Sequence, residues 1–144
     1  MQRAWIAIIL GALTCSALAQ GTPVGRWRSS DEKTGEAKAE IRIVDTAGVL
    51  SGKIEKRLLK TAQAGDVCLE CSDERKGQPL LGLEIIRGAQ KAPDANVWEG
   101  GKILDPENGR SYSLKMTPID DGKKLEVRGS FGPFGRTQTW VRLP

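Results

Sequence analysis

The chain contains no histidine. That removes Ser-His-Asp and Cys-His catalysis, every His-ligated metal site, and the commonest general base near neutral pH. Aromatic residues are scarce at 5%, with one Tyr, two Phe and four Trp. Beyond the N-terminus, no apolar run is long enough for a membrane helix. No segment repeats its apolar residues every 3.6 positions over a useful length, so no substantial helix is expected in the mature chain. Basic blocks are missing too. Charges of both signs are interspersed, as in Asp31-Glu32-Lys33, Glu36-Ala37-Lys38 and Glu55-Lys56-Arg57. A nucleic-acid face needs a clustered basic stripe with aromatic platforms, so nucleic acid is not an expected partner.

What is present points to export. Arg3 supplies a positive start, and residues 4–13 form an apolar run too short to span a bilayer. Ala17-Leu18-Ala19 has the small-x-small pattern of a cleavage site, so residues 1–19 read as a signal peptide and Gln20 as the mature start. Lipidation at Cys15 is the alternative. It is disfavoured because Thr14 and Ala12 stand where a small residue and a Leu are wanted. The expected location is the periplasm or the medium. Losing Arg3 lowers the formal charge from +4 to +3.

Cleavage also removes Cys15 and leaves Cys68 and Cys71. In an exported chain such a pair reads as a disulfide. A redox-active pair would sit at a helix N-terminus in a βαβ unit, which nothing here predicts. A zinc site would need two further ligands, and no His or third Cys exists to supply them. No metal or other cofactor is expected.

With 144 residues, 39% hydrophobic and 28% charged, the chain suits one globular domain, 20–144. Seventeen glycines suit a protein of short strands and many turns. Residues 37–44 and 49–56 alternate in polarity around Asp45-Thr46-Ala47-Gly48 and predict a hairpin with Ile41, Ile43, Leu50, Gly52 and Ile54 inward. Further strands are expected at 24–28, 80–86, 97–104, 112–117, 124–128 and 134–143. Gly100-Gly101 marks a bulge or bend. Asp105-Pro106-Glu107-Asn108-Gly109 and Asp120-Asp121-Gly122 are turns. The polar stretch 57–78 carries both cysteines and reads as a long, pinned loop, with 87–96 as a second loop. Eight antiparallel strands with short connections predict an all-β, up-and-down barrel closed by pairing the last strand with the first.

Several motifs carry a resemblance. Downstream are Gly100-Gly101-Lys102-Ile103-Leu104-Asp105-Pro106, Gly109-x-x-Tyr112, Leu125-x-Val127-Arg128-Gly129 and Phe134-Gly135-Arg136-Thr137-x-x-Trp140-x-Arg142. Upstream are Gly25-x-Trp27, Gly52-Lys53-Ile54, Cys68-x-x-Cys71 and Gly77-Gln78-Pro79-Leu80-x-Gly82. Together they resemble the DUF2147 family of exported bacterial proteins, which has no established function. The resemblance implies a lipocalin-like, calycin-type barrel. It further implies that Trp27 packs at the closed end with Arg142 across it, a cation–π contact that caps the barrel.

Function is read from the interior. A binding module would hold a small apolar or amphipathic molecule, with Trp98, Tyr112, Leu114, Met116 and Phe131 lining a cavity and Arg128 or Arg136 near its mouth. The competing reading is a filled barrel that acts as a protein–protein interaction module of the cell envelope, with a patch around Trp140 and Phe134. On the last strand Phe134, Arg136, Gln138, Trp140 and Arg142 share one face, and Thr137, Thr139, Val141 and Leu143 the other. Because Arg is mostly exposed, the Thr/Val/Leu face is expected inward. The alternative turns Arg136 and Gln138 to the lumen, where they would orient a polar head such as a carboxylate. Catalysis is not expected. Asp105, Glu107, Glu126 and Arg128 are the nearest approach to a constellation, and they read as a turn cap and a solvated face.

Overall fold

The computed structural model describes residues 21–144. The expected leader 1–19, its cleavage point before Gln20, and Cys15 lie outside the described residues. Eight strands run in order: β1 (Gly25–Ser30), β2 (Ala37–Thr46), β3 (Val49–Arg57), β4 (Glu84–Lys91), β5 (Trp98–Asp105), β6 (Arg110–Ile119), β7 (Lys124–Phe131) and β8 (Phe134–Leu143). Each is antiparallel to its sequence neighbour, and β1 also pairs with β8, so the sheet closes into a barrel. Closure leaves no open sheet edge. The short turns follow from local chemistry. Asp45 Oδ1 accepts the Gly48 N–H at 2.7 Å, and Asp105 Oδ1 accepts the Glu107 N–H at 2.9 Å, each an Asx cap on its turn.

The Gly100-Gly101 bulge is present, with the β5–β6 register shifting between Glu99 and Gly101. A side chain at Gly101 would overlap the backbone of Arg87 and Ala89, so β4 approaches there as closely as main chain can. The fourth strand is a correction. It was expected at 80–86, with 87–96 as a loop, and it spans Glu84–Lys91. Leu80 to Leu83 form a turn instead, held by Leu83 N–H to Leu80 O at 3.2 Å and Gly82 N–H to Ile54 O at 2.7 Å. The polar residues after Ile86 conceal a strand because its outer face is solvated.

Alternation fills one end of the barrel. Trp27, Ile43, Leu50, Ile86, Met116 and Leu125 are fully buried, and all sit toward the end where β1 starts and β8 finishes. Ile85 and Leu104, next in sequence to Ile86 and Ile103, are buried as well, and both also border the cavity of the other end. The connection between β3 and β4 covers them. Arg75, itself buried, donates to Glu84 O at 2.9 Å, and Cys68, Cys71 and Leu83 join the same core. Cys68 and Cys71 form a disulfide with Cα atoms 5.5 Å apart. Main-chain bonds from Cys68 N–H to Gln78 O and from Gly77 N–H to Cys68 O, each 2.8 Å, fold the segment on itself. No helix among the described residues is long and apolar enough to cross a membrane.

Candidate functional site

The two barrel ends differ. At the closed end, Arg142 lies across the β1–β8 pair from Trp27. Its guanidinium carbon stands 4.2 Å from the Trp27 ring centroid. Nε donates to Gly122 O at 2.6 Å, one terminal nitrogen to Val24 O at 2.9 Å, and the other to Thr22 O at 2.7 Å. Burial lowers the Arg142 pKa from its usual value, and the three carbonyls and the ring face offset the lost hydration. Trp27 Nε1 donates to Pro23 O at 2.7 Å, so no polar atom of the ring is left bare. Gly25 sits at φ 137°, and a Cβ there would lie 2.6 Å from an Arg142 nitrogen. The Gly-x-Trp pattern is thus the seat of the arginine.

The opposite end holds a cavity of about 570 Å³. Its apolar walls include Ile41, Ile54, Ile103 and Val127, and Trp140, only 2% exposed, lies deeper. Leu59 and Leu80 bring the β3–β4 connection to the wall. The mouth is the β7–β8 hairpin and the β5–β6 turn. Phe131 and Phe134 pair across the hairpin tip and line the opening while remaining 74% and 77% exposed. Gly129 faces inward beside them. A Cβ there would meet Tyr112 Cβ at 3.3 Å and Ile103 Cγ2 at 3.5 Å, so the missing side chain widens the lumen. Tyr112 receives the Asn108 amide at 3.0 Å, and the Gln138 carbonyl accepts Trp140 Nε1 at 3.1 Å.

The inward face of β8 is the second correction. Gln138 and Trp140 line the cavity, whereas Thr137, Thr139 and Val141 are exposed. The preference of Arg for solvent misleads here because this face meets water at the mouth and the Trp27 latch at the far end. Of the expected lining, Tyr112 and Phe131 are at the cavity, with Arg136 at its rim. Trp98, Leu114 and Met116 are buried in the packed core and not at the cavity. Arg128 is on the outer face, where it donates to Thr137 Oγ1 at 3.2 Å. Trp140 is buried, so the patch proposed around Trp140 and Phe134 keeps only Phe134.

The carboxylates considered for catalysis do not converge. Asp105 caps its turn, Glu107 pairs with Lys38 at 3.0 Å, and Glu126 lies opposite Thr139 on the outer face. Sequence reasoning reached Gln138 as a lumen residue only through the alternative face of β8, missed Gly129 there, and missed Arg75 as a buried brace. For Gly129 the strand alternation of β7 was a usable signal, since Leu125 and Val127 face inward and Gly129 follows in step.

A family model for an uncharacterized protein conserved in bacteria (DUF2147) matches residues 25–142. No curated protein matches the chain. Among solved structures, protein HP1028 from the human pathogen Helicobacter pylori, described as belonging to the lipocalin family, superposes with a TM-score of 0.70. The two are 17% identical, over 84% of this chain and 82% of that one, a likeness that speaks to fold. Matching motifs from Gly25 to Arg142, together with the closed eight-stranded barrel, place the chain in the DUF2147 family.

Proposed function

We propose that this protein is an exported carrier or sensor that binds a small apolar or amphipathic molecule in its half-open barrel. The observation that carries this is the cavity of about 570 Å³, well above the roughly 300 Å³ at which small-molecule sites begin. Small eight-stranded barrels are often filled by their own side chains. Here only the closed half is filled, and Gly129 leaves room where a larger residue would close the rest. Export to the periplasm or medium is supported by the apolar N-terminal segment and by a disulfide of the kind that persists outside the cytosol. Binding rather than catalysis suits a lumen whose carboxylates are already committed to a turn cap and an ion pair.

The test is titration with a neutral fluorescent apolar probe, N-phenyl-1-naphthylamine. Ala39 lines the same cavity, and saturable binding that Gly129→Leu and Ala39→Phe each weaken at least tenfold supports the reading. Absence of saturable binding, or binding untouched by both substitutions, counts against it. A second reading rests on the exposed Phe131 and Phe134 at the rim. As a protein contact surface, the hairpin tip would hold a partner whatever the lumen contains, and a pull-down from envelope extract would return that partner reproducibly.

A further inference from the structure

Three side chains at the cavity have hydrogen-bond donors still to give: Tyr112, Gln138 and Arg136. Tyr112 already accepts from Asn108, which leaves its own O–H to give. The Gln138 carbonyl is taken by Trp140, which leaves the amide N–H groups. The Arg136 side chain makes no hydrogen bond among the described residues, and its one ionic neighbour is Glu32 at 3.6 Å from Nε, with the side chain 72% exposed. The carboxylates and the amide carbonyl that line the site each already hold one partner. Asp105 takes the Glu107 N–H, Glu107 takes Lys38 Nζ, and the Asn108 carbonyl takes the Arg110 N–H at 2.9 Å, while Ser29, which donates to Ala39 O at 3.4 Å, keeps its oxygen free to accept. Arg57 is held by Asp66. A ligand entering this lumen therefore meets hydrocarbon at Ile41, Ile54, Val127 and Trp140, the Gln138 amide at the level of Val127, and the Tyr112 and Arg136 donors nearer the rim.

We infer that the ligand is a single-chain amphipath with an anionic, acceptor-only head group, chain inward and head toward Arg136. The cationic Arg136 and the neighbouring donors favour a head that carries negative charge and accepts hydrogen bonds. An ammonium head would face Arg136 as a like charge, and an alcohol would offer one acceptor without charge. Carboxylate and phosphate heads share the required chemistry. This inference rests on the cavity being a binding site, and the experiment separates the two.

Dodecanoate, dodecyl phosphate, dodecanol and dodecylamine are each competed against N-phenyl-1-naphthylamine, on the wild type and on Arg136→Gln. The expected result is that at least one anion binds about tenfold or more tightly than dodecanol, with dodecylamine weakest. The better of the two anions names the head. Arg136→Gln, an exposed change that spares the core, should reduce the anion-to-alcohol ratio several-fold. Tyr112→Phe should reduce the same ratio. If dodecanol or dodecylamine equals both anions, or if neither substitution moves the ratio, the head-group assignment is overturned while the cavity reading stands. If the probe itself fails to bind, both fall.

Discussion

Arg142 occupies an inner-face position that would be costly without its four partners. Removing it leaves the carbonyls of Thr22, Val24 and Gly122 without their donor and bares the Trp27 ring. Arg142→Ala should therefore lower unfolding free energy by about 2–4 kcal/mol, read from urea denaturation. Arg142→Lys should recover less than half of that, because one ammonium cannot serve three carbonyls and stack. Gly25→Ala should be destabilising by the same route, since its methyl group enters the guanidinium's place. Asp73 offers a pH test. Hydrogen bonds from Arg75, side chain first and backbone second, lower its pKa from the ordinary value to about 2. A depressed carboxylate stabilises the fold above its unfolded pKa and loses that contribution as pH falls through the folded one. The loss from Asp73 should thus fall between about pH 4 and pH 2. Asp73→Asn should flatten the acid limb of a stability–pH curve there, by a small amount because the carboxylate is largely solvated. An unchanged limb would show that Arg75 is held without it.

At the scale of elements, the β7–β8 hairpin and the β3–β4 connection do different work. The hairpin tip is exposed, so Phe131→Ala with Phe134→Ala should change stability by less than about 0.5 kcal/mol. The same double variant should raise the dissociation constant for an amphipathic probe several-fold, because both rings flank the mouth. The connection is held to β4 by Arg75 and is stiffened within itself by the disulfide. Replacing both Cys68 and Cys71 by Ser should cost at most about 2 kcal/mol, since so short a loop restricts few unfolded conformations.

The strand pattern was largely legible in the sequence, because period-two alternation and Asx-type turns are local signals. The last strand's bounds and the Gly100-Gly101 bulge are read directly from it. The fourth strand was not, because its lengthwise position is set by main-chain bonds from Ile54 to the turn at Leu80 and Leu83, a tertiary constraint. The inward face of β8 was misread for a related reason. Hydrophobicity assigns a face only where the inside is dry, and this strand runs from a wet mouth to a polar latch. Of the candidate site, Tyr112 and Phe131 could be picked out by residue type. Strand alternation puts Gly129 and, on one of the two faces of β8, Gln138 inward, but their role at a cavity depends on the lumen being half empty.

As a whole, the molecule is a barrel packed at one end and hollow at the other. Closure at Trp27 and Arg142 spares the open half from having to hold the sheet together, so the lumen can stay unfilled. The central claim is that this unfilled half is occupied in the protein's own setting. Native mass spectrometry of the wild type and of Gly129→Leu, each purified from the cells that natively make the protein, tests it most directly. The account predicts a reproducible small-molecule adduct on the wild type that is depleted in Gly129→Leu. A bare mass for both, or the same adduct on both, would contradict it.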